Sequence, residues 1–228
     1  MITDYPAHSP IAEAYRAVRT NLQFASAGDP IKFVAFTSAT PSEGKSTTVA
    51  NLAITMAQDG KRVLLIDADM RKPVVHRRFG LANKGLSNYI AMNVSLANLI
   101  AEDVEQNLDI LASGPVSPNP SELLGSSRMK ELMEEVATQY DYIFIDMPPV
   151  LAVTDAAIMA SKVDRVVFVV KSGADTADEL KLAKTRLDQA GANIMGVILN
   201  AVPQQHHAGY YYYYYDEEGH KTKKHHHK

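Results

Sequence analysis

No cysteine occurs among the 228 residues of this chain, which excludes disulfides, thiol nucleophiles and thiolate metal ligands. An excess of positive charge is also missing. Acidic side chains number 26 against 23 lysines and arginines, a net charge of −3, so no overall basic field points to nucleic acid as a partner. No apolar run approaches the ~20 residues needed to cross a bilayer. Met1 to Pro10 lacks the basic-then-apolar pattern of a secretion signal. These absences predict a soluble, intracellular protein whose membrane role would come through a partner. Apolar residues are 46% and charged residues 21%, an ordinary globular composition, and the length suffices for one sizeable α/β domain.

What is present is organised around Ala39-Thr40-Pro41-Ser42-Glu43-Gly44-Lys45-Ser46-Thr47. The apolar run Phe33-Val34-Ala35-Phe36 leads in, and Val49, Leu52, Ala53, Met56 and Ala57 follow at helical spacing. Strand, small-residue loop, Gly-Lys-Ser and helix, in that order, is the layout of a phosphate-binding loop. A helix N-terminus presents unpaired N–H groups and a partial positive charge, and a tight loop before it wraps more N–H groups around an anion. Thr40 to Thr47 is therefore the candidate nucleotide-binding segment. Within it Lys45 adds a full charge at the outer phosphates, and Ser46 offers a hydroxyl to Mg²⁺. Ala39 stands where such loops usually carry their first glycine, so the motif is a variant.

Three further strands should end in polar residues beside this loop. Arg62 to Ile66 is an unalternating apolar run that ends in Asp67-Ala68-Asp69, as a strand buried on both faces would. Two carboxylates at i and i+2 repel unless a cation or proton lies between them, which suits a Mg²⁺-phosphate site. Tyr142 to Ile145 ends in Asp146-Met147-Pro148-Pro149, the arrangement of a second metal-directed aspartate. Ile194 to Leu199 ends in Asn200, placed either to meet a nucleotide base or simply to make a turn. A strand over 165–170 and a helix over 176–190 complete an alternation that implies a mostly parallel sheet with helices on both faces, its ligands at the carboxyl ends of the strands.

Before the loop, 9–26 reads as a helix with Ser9 as N-cap and Pro10 at its first position. Ile11, Tyr15, Val18 and Leu22 fall on its inner face, with Glu13, Arg16 and Arg19 directed outward. Short helices are expected over 85–101 and one long amphipathic helix over 121–140. Residues 1–202 then form one domain, and 203–228 a flexible tail that holds six consecutive tyrosines, Tyr210, Tyr211, Tyr212, Tyr213, Tyr214 and Tyr215.

The combination resembles the bacterial tyrosine kinases of capsular and exopolysaccharide biosynthesis. The carrying residues are Ala39 to Thr47, Leu64 to Arg71, Ile143 to Pro149, the Glu13-x-x-Arg16-x-x-Arg19 spacing and the tyrosine cluster. The resemblance implies a P-loop-type, ATP- and Mg²⁺-dependent protein-tyrosine kinase. Asp67 would accept or orient the phenolic proton and Asp69 would assist at the metal, with the two roles exchangeable; Ser46, Asp67 and Asp146 would hold Mg²⁺. It also implies a ring-like homo-oligomer, built through Glu13, Arg16 and Arg19, whose subunits phosphorylate Tyr210 to Tyr215 of one another. Because the chain begins directly with the kinase, it looks like the split, cytoplasmic type. Such a protein is recruited to the inner face of the plasma membrane by a separate activator or polysaccharide co-polymerase, and a cognate tyrosine phosphatase would reverse its product. Chromosome-partitioning and septum-site ATPase switches share the core motifs, but they carry a lysine where this chain has Thr40.

Overall fold

A computed structural model describes residues 1–203 except positions 27 and 29. The strands are β1 (Phe33–Ser38), β2 (Val63–Asp67), β3 (Ala101–Glu105), β4 (Leu108–Leu111), β5 (Tyr142–Asp146), β6 (Arg165–Lys171) and β7 (Ile194–Asn200). The helices are α1 (Pro10–Ala25), α2 (Lys45–Gln58), α3 (Val75–Arg78), α4 (Leu86–Met92), α5 (Pro120–Gly125), α6 (Ser127–Ala137), α7 (Asp155–Ala160) and α8 (Ala177–Gln189). One sheet runs β3-β4-β2-β5-β1-β6-β7, parallel except for β3.

Alternation along the central strands divides the core in two. Val34, Phe36, Leu65 and Phe144 meet α1 and α2 on one face, while Ala35, Leu64, Ile66 and Ile145 meet residues of α4 to α8 on the other. Each strand is thus apolar on both sides, which explains its unbroken apolar sequence. Phe36 and Phe144 stack edge to face at 5.2 Å across the first of these layers. Helix α2 is buried from Thr48 to Met56, so the phosphate loop that precedes it is anchored to an element packed into the core. Because β1 lies between β5 and β6, with β2 beyond β5, the ends of all four strands gather around that loop.

Four local expectations are corrected. The helix expected over 121–140 is two helices, because Ser126 is extended (φ −71°, ψ 163°). Its hydroxyl donates to Leu123 O at 2.7 Å and accepts from Met129 N at 3.3 Å, closing one helix and capping the next. The stretch 85–101 does contain short helices, but its last residue opens β3, which a sequence of Ala-Glu-Asp-Val-Glu conceals because an exposed edge strand needs little apolar character. On α1, Arg19 does not face outward. It reaches α2, bonding Thr55 O at 3.3 Å and Asp59 at 3.4 Å, where a cation complements the helix C-terminus. Ile11, expected inward, is exposed.

Candidate functional site

The loop between β1 and α2 is bent by two positive backbone angles, φ 69° at Ser42 and φ 85° at Gly44. Gly44 is required twice over: it takes a left-handed conformation, and a Cβ there would lie 2.1 Å from the Asn200 amide nitrogen. Asn200 donates to Glu43 O at 2.9 Å, so the end of β7 braces the loop from outside.

Lys45, the first residue of α2, is buried and directs its ammonium to Asp146 Oδ1 and to Ser46 Oγ, 3.1 Å away. Strand register sets Asp146 directly beside Asp67, and both are wholly buried. Burial first, and the Asp146 carboxylate second, push Asp67 up to about 7. Asp67 is pinned by three backbone donors, from Asp69 at 3.1 Å, Val74 at 3.1 Å and Val75 at 3.0 Å. Asp69 turns away from the strand and accepts from Arg71 N at 3.3 Å and Lys72 N at 2.9 Å. The pairing that matters across the site is thus Asp67 with Asp146, on neighbouring strands, rather than Asp67 with Asp69 along one.

Mg²⁺ fits this donor set. Among the described residues Asp146 Oδ2 is buried without a protein partner, the adjacent Asp67 carboxylate crowds it, and Ser46 supplies a third hard oxygen nearby. Among the described residues no three acidic or imidazole groups converge on one point, as befits an ion shared with phosphates rather than caged by protein.

Two contributors escaped the sequence reading. Asp155, fully buried at the start of α7, receives both Arg71 Nε at 2.9 Å and Nη2 at 3.0 Å, and Ser121 Oγ at 2.6 Å. Burial alone would raise this carboxyl, but Arg71 and Ser121 outweigh it and hold it below the usual range. The bidentate pair ties the loop after β2 to α5 and α7. Asp175, before α8, accepts from Thr40 Oγ1 at 2.8 Å. Both contacts join residues distant in sequence, and no local pattern announces them. Glu13 and Arg16 pair with each other on the surface of α1. Tyr210 to Tyr215 lie outside the described residues.

A family model described as an AAA domain matches residues 31–184. The tyrosine-protein kinase YwqD of Bacillus subtilis is 46% identical over 190 residues, 83% of this chain and 80% of its own. The tyrosine-protein kinase etk of Escherichia coli is 41% identical over 203 residues, 89% of this chain but 28% of etk. Among solved structures, the chimerical protein CapA2B2 superposes with a TM-score of 0.84 at 38% identity, covering 89% of this chain and 90% of that one. The septum-site-determining protein MinD of Pyrococcus horikoshii, complexed with Mg-ADP, shares the fold at a TM-score of 0.64 and 24% identity, over 77% of this chain and 72% of its own.

Proposed function

This chain belongs to the bacterial tyrosine-protein kinase family, and we propose that it transfers the γ-phosphoryl group of MgATP to the tyrosines of its own C-terminal cluster, between subunits. The observation that carries the reading is the buried Lys45–Asp146–Asp67 constellation at the mouth of the phosphate loop.

The nucleotide phosphates lie along Thr40 to Thr47, with Lys45 neutralising the outer ones, and Asn200 stands at the rim towards the base. Ser46, Asp67 and Asp146 would hold the metal, and Mg²⁺ bound there would supply charge neutralisation on the phosphoryl oxygens. A tyrosine oxygen attacks the γ-phosphorus, the bond to the β-phosphate oxygen breaks, and ADP leaves with that electron pair. The phenolic proton passes to a carboxylate. Asp67, set beside Asp146 at the strand ends and pinned by the backbone N–H groups of Asp69, Val74 and Val75, is the carboxylate held in place for that task. Asp69 orients the loop and the metal shell.

Residues 1–202 act as the kinase domain and 203–228 as its substrate tail. Glu13 and Arg16, which are half-buried and paired with each other on the surface of α1, join subunits in a ring. Arg19 contributes from its partly covered position. In etk the matching region is 28% of the chain, which supports a kinase unit that works with a further component; here that component is a separate membrane activator or polysaccharide co-polymerase. The process served is capsular or exopolysaccharide synthesis and export, at the inner face of the plasma membrane, with a tyrosine phosphatase resetting the tail. The test is a mixture: active subunits truncated after residue 203 should phosphorylate intact Lys45→Met subunits. No transfer in that mixture would exclude action between subunits.

A further inference from the structure

Glu43 follows the exposed Pro41 and Ser42, yet it turns inward and is 1% exposed. Its two carboxylate oxygens are used on different elements. Oε1 accepts from Thr40 N at 2.6 Å, within the loop, and Oε2 accepts from Lys171 N at 3.1 Å, at the end of β6. The Asp175 carboxyl converges with it on one hydroxyl: Thr40 Oγ1 lies 2.8 Å from Asp175 Oδ1 and 3.4 Å from Glu43 Oε1. Asp175 Oδ2 is buried with no protein partner among the described residues.

Two carboxyl groups therefore flank the same hydroxyl, and the hydrogen-bonding groups that face them among the described residues carry no charge. From the loop come the Thr40 N–H and hydroxyl, from β6 the Lys171 backbone N–H, and from β7 the Asn200 amide on the Glu43 carbonyl. The Lys45 ammonium is directed to Asp146 instead. Burial first, then the Asp175 contact, push the Glu43 carboxyl up to about 7. Like charges in contact are relieved by a proton held between them, and such a proton would also satisfy Asp175 Oδ2.

We infer that Glu43 and Asp175 form a proton-sharing pair that latches the phosphate loop to the segment between β6 and α8, making Asp175 a positioning residue for the nucleotide. The inference rests on the placement of the nucleotide at Thr40 to Thr47. With the proton in place, the Glu43 O–H donates to Asp175, and Thr40 is braced through both its N–H and its hydroxyl. When both groups ionise, they repel, the Asp175 segment withdraws and the Thr40 hydroxyl loses its shorter contact, keeping only Glu43 Oε1 at 3.4 Å. Glu43 keeps its proton below about pH 7 and loses it above, so the latch is closed on the acid side and open on the alkaline side. Nucleotide retention should follow it.

The experiment is equilibrium binding of ADP with Mg²⁺ to the full chain at about pH 6 and about pH 8.5, for the wild type and Asp175→Asn. The amide introduced by Asp175→Asn donates permanently to the Glu43 carboxylate while its oxygen still serves Thr40, so this variant mimics the closed latch. The wild-type Kd should rise about three- to tenfold from acid to alkaline pH. The Asp175→Asn value should stay within about twofold. Titration of ADP itself and of Asp67 is common to both proteins, so the difference between their slopes reads the pair. Equal slopes overturn the latch while leaving the nucleotide site intact, whereas absence of ADP binding at either pH overturns both. Glu43→Gln, which removes the titrating group, should also lose the slope. A wild-type slope in a folded Glu43→Gln protein would equally refute the inference.

Discussion

The strand tips and the outer face of α1 carry the same kinds of side chain to opposite effect. Around the tips, Lys45 of α2, Asp67, Asp146 and Asp155 of α7 are withdrawn from water, and each is matched by a named partner or crowded by a like charge. On α1, Glu13 and Arg16 pair with each other while still partly open to solvent. Buried charges cost several kcal/mol each unless paired, so they persist where chemistry uses them. An exposed pair is worth a few tenths of a kcal/mol, so it affects the fold hardly at all and is free to serve a contact with another subunit.

That contrast can be broken most sharply at Lys45. Lys45→Met should abolish phosphotyrosine formation, a loss of at least about 10²–10³ in rate. It should also destabilise the fold, by about 3 kcal/mol, because Asp146 is left buried without its cation beside Asp67. Denaturant unfolding checks the second effect and radiolabel transfer the first; full stability with no activity would mean that the buried pair contributes nothing.

A smaller effect is expected at Arg71, which is 39% exposed at its side chain and so partly screened. Arg71→Ala should cost about 2 kcal/mol at neutral pH by stranding Asp155. The Asp155 carboxyl sits below its ordinary value in the folded protein, so its stabilising contribution is present above an unfolded pKa of 3.8 and lost as pH falls through the lower folded value. The gap between wild type and variant should therefore narrow in acid, and a pH-independent gap would assign the loss to packing alone.

Ser126→Ala should cost about 1 kcal/mol through its lost cap; a smaller loss in denaturant unfolding would show that Leu123 O and Met129 N find water instead. At the bottom of the scale, Glu13→Ala with Arg16→Ala should change unfolding by less than about 0.5 kcal/mol while reducing the assembly on a sizing column. An unchanged assembly would leave α1 a merely solvated face.

How far the sequence reveals this arrangement varies with the range of the contact. The phosphate loop after the apolar run of β1, and the apolar runs of β2 and β5 with their terminal aspartates, are legible because each is a local pattern tied to a strand end. The break at Ser126 is not, because apolar residues continue at helical spacing across it, and only the extended backbone of one serine divides them. β3 is hidden because an exposed edge needs no apolar run. Arg19 reads as an outward charge by its position on the helix, yet Asp59 at the end of α2 claims it. Within the site, the Asp67–Asp146 partnership depends on strand order, and the Asp155 and Asp175 contacts bridge 84 and 135 positions respectively. Spacing along the chain cannot encode them.

The central claim is that the buried strand-tip charges perform phosphoryl transfer to tyrosine. Its most direct test is to incubate the purified full chain and its Lys45→Met variant with MgATP and map phosphate by mass spectrometry. The account predicts phosphotyrosine within Tyr210 to Tyr215 of the wild type and none in the variant. Release of free phosphate without phosphotyrosine, or equal labelling of both proteins, would contradict it.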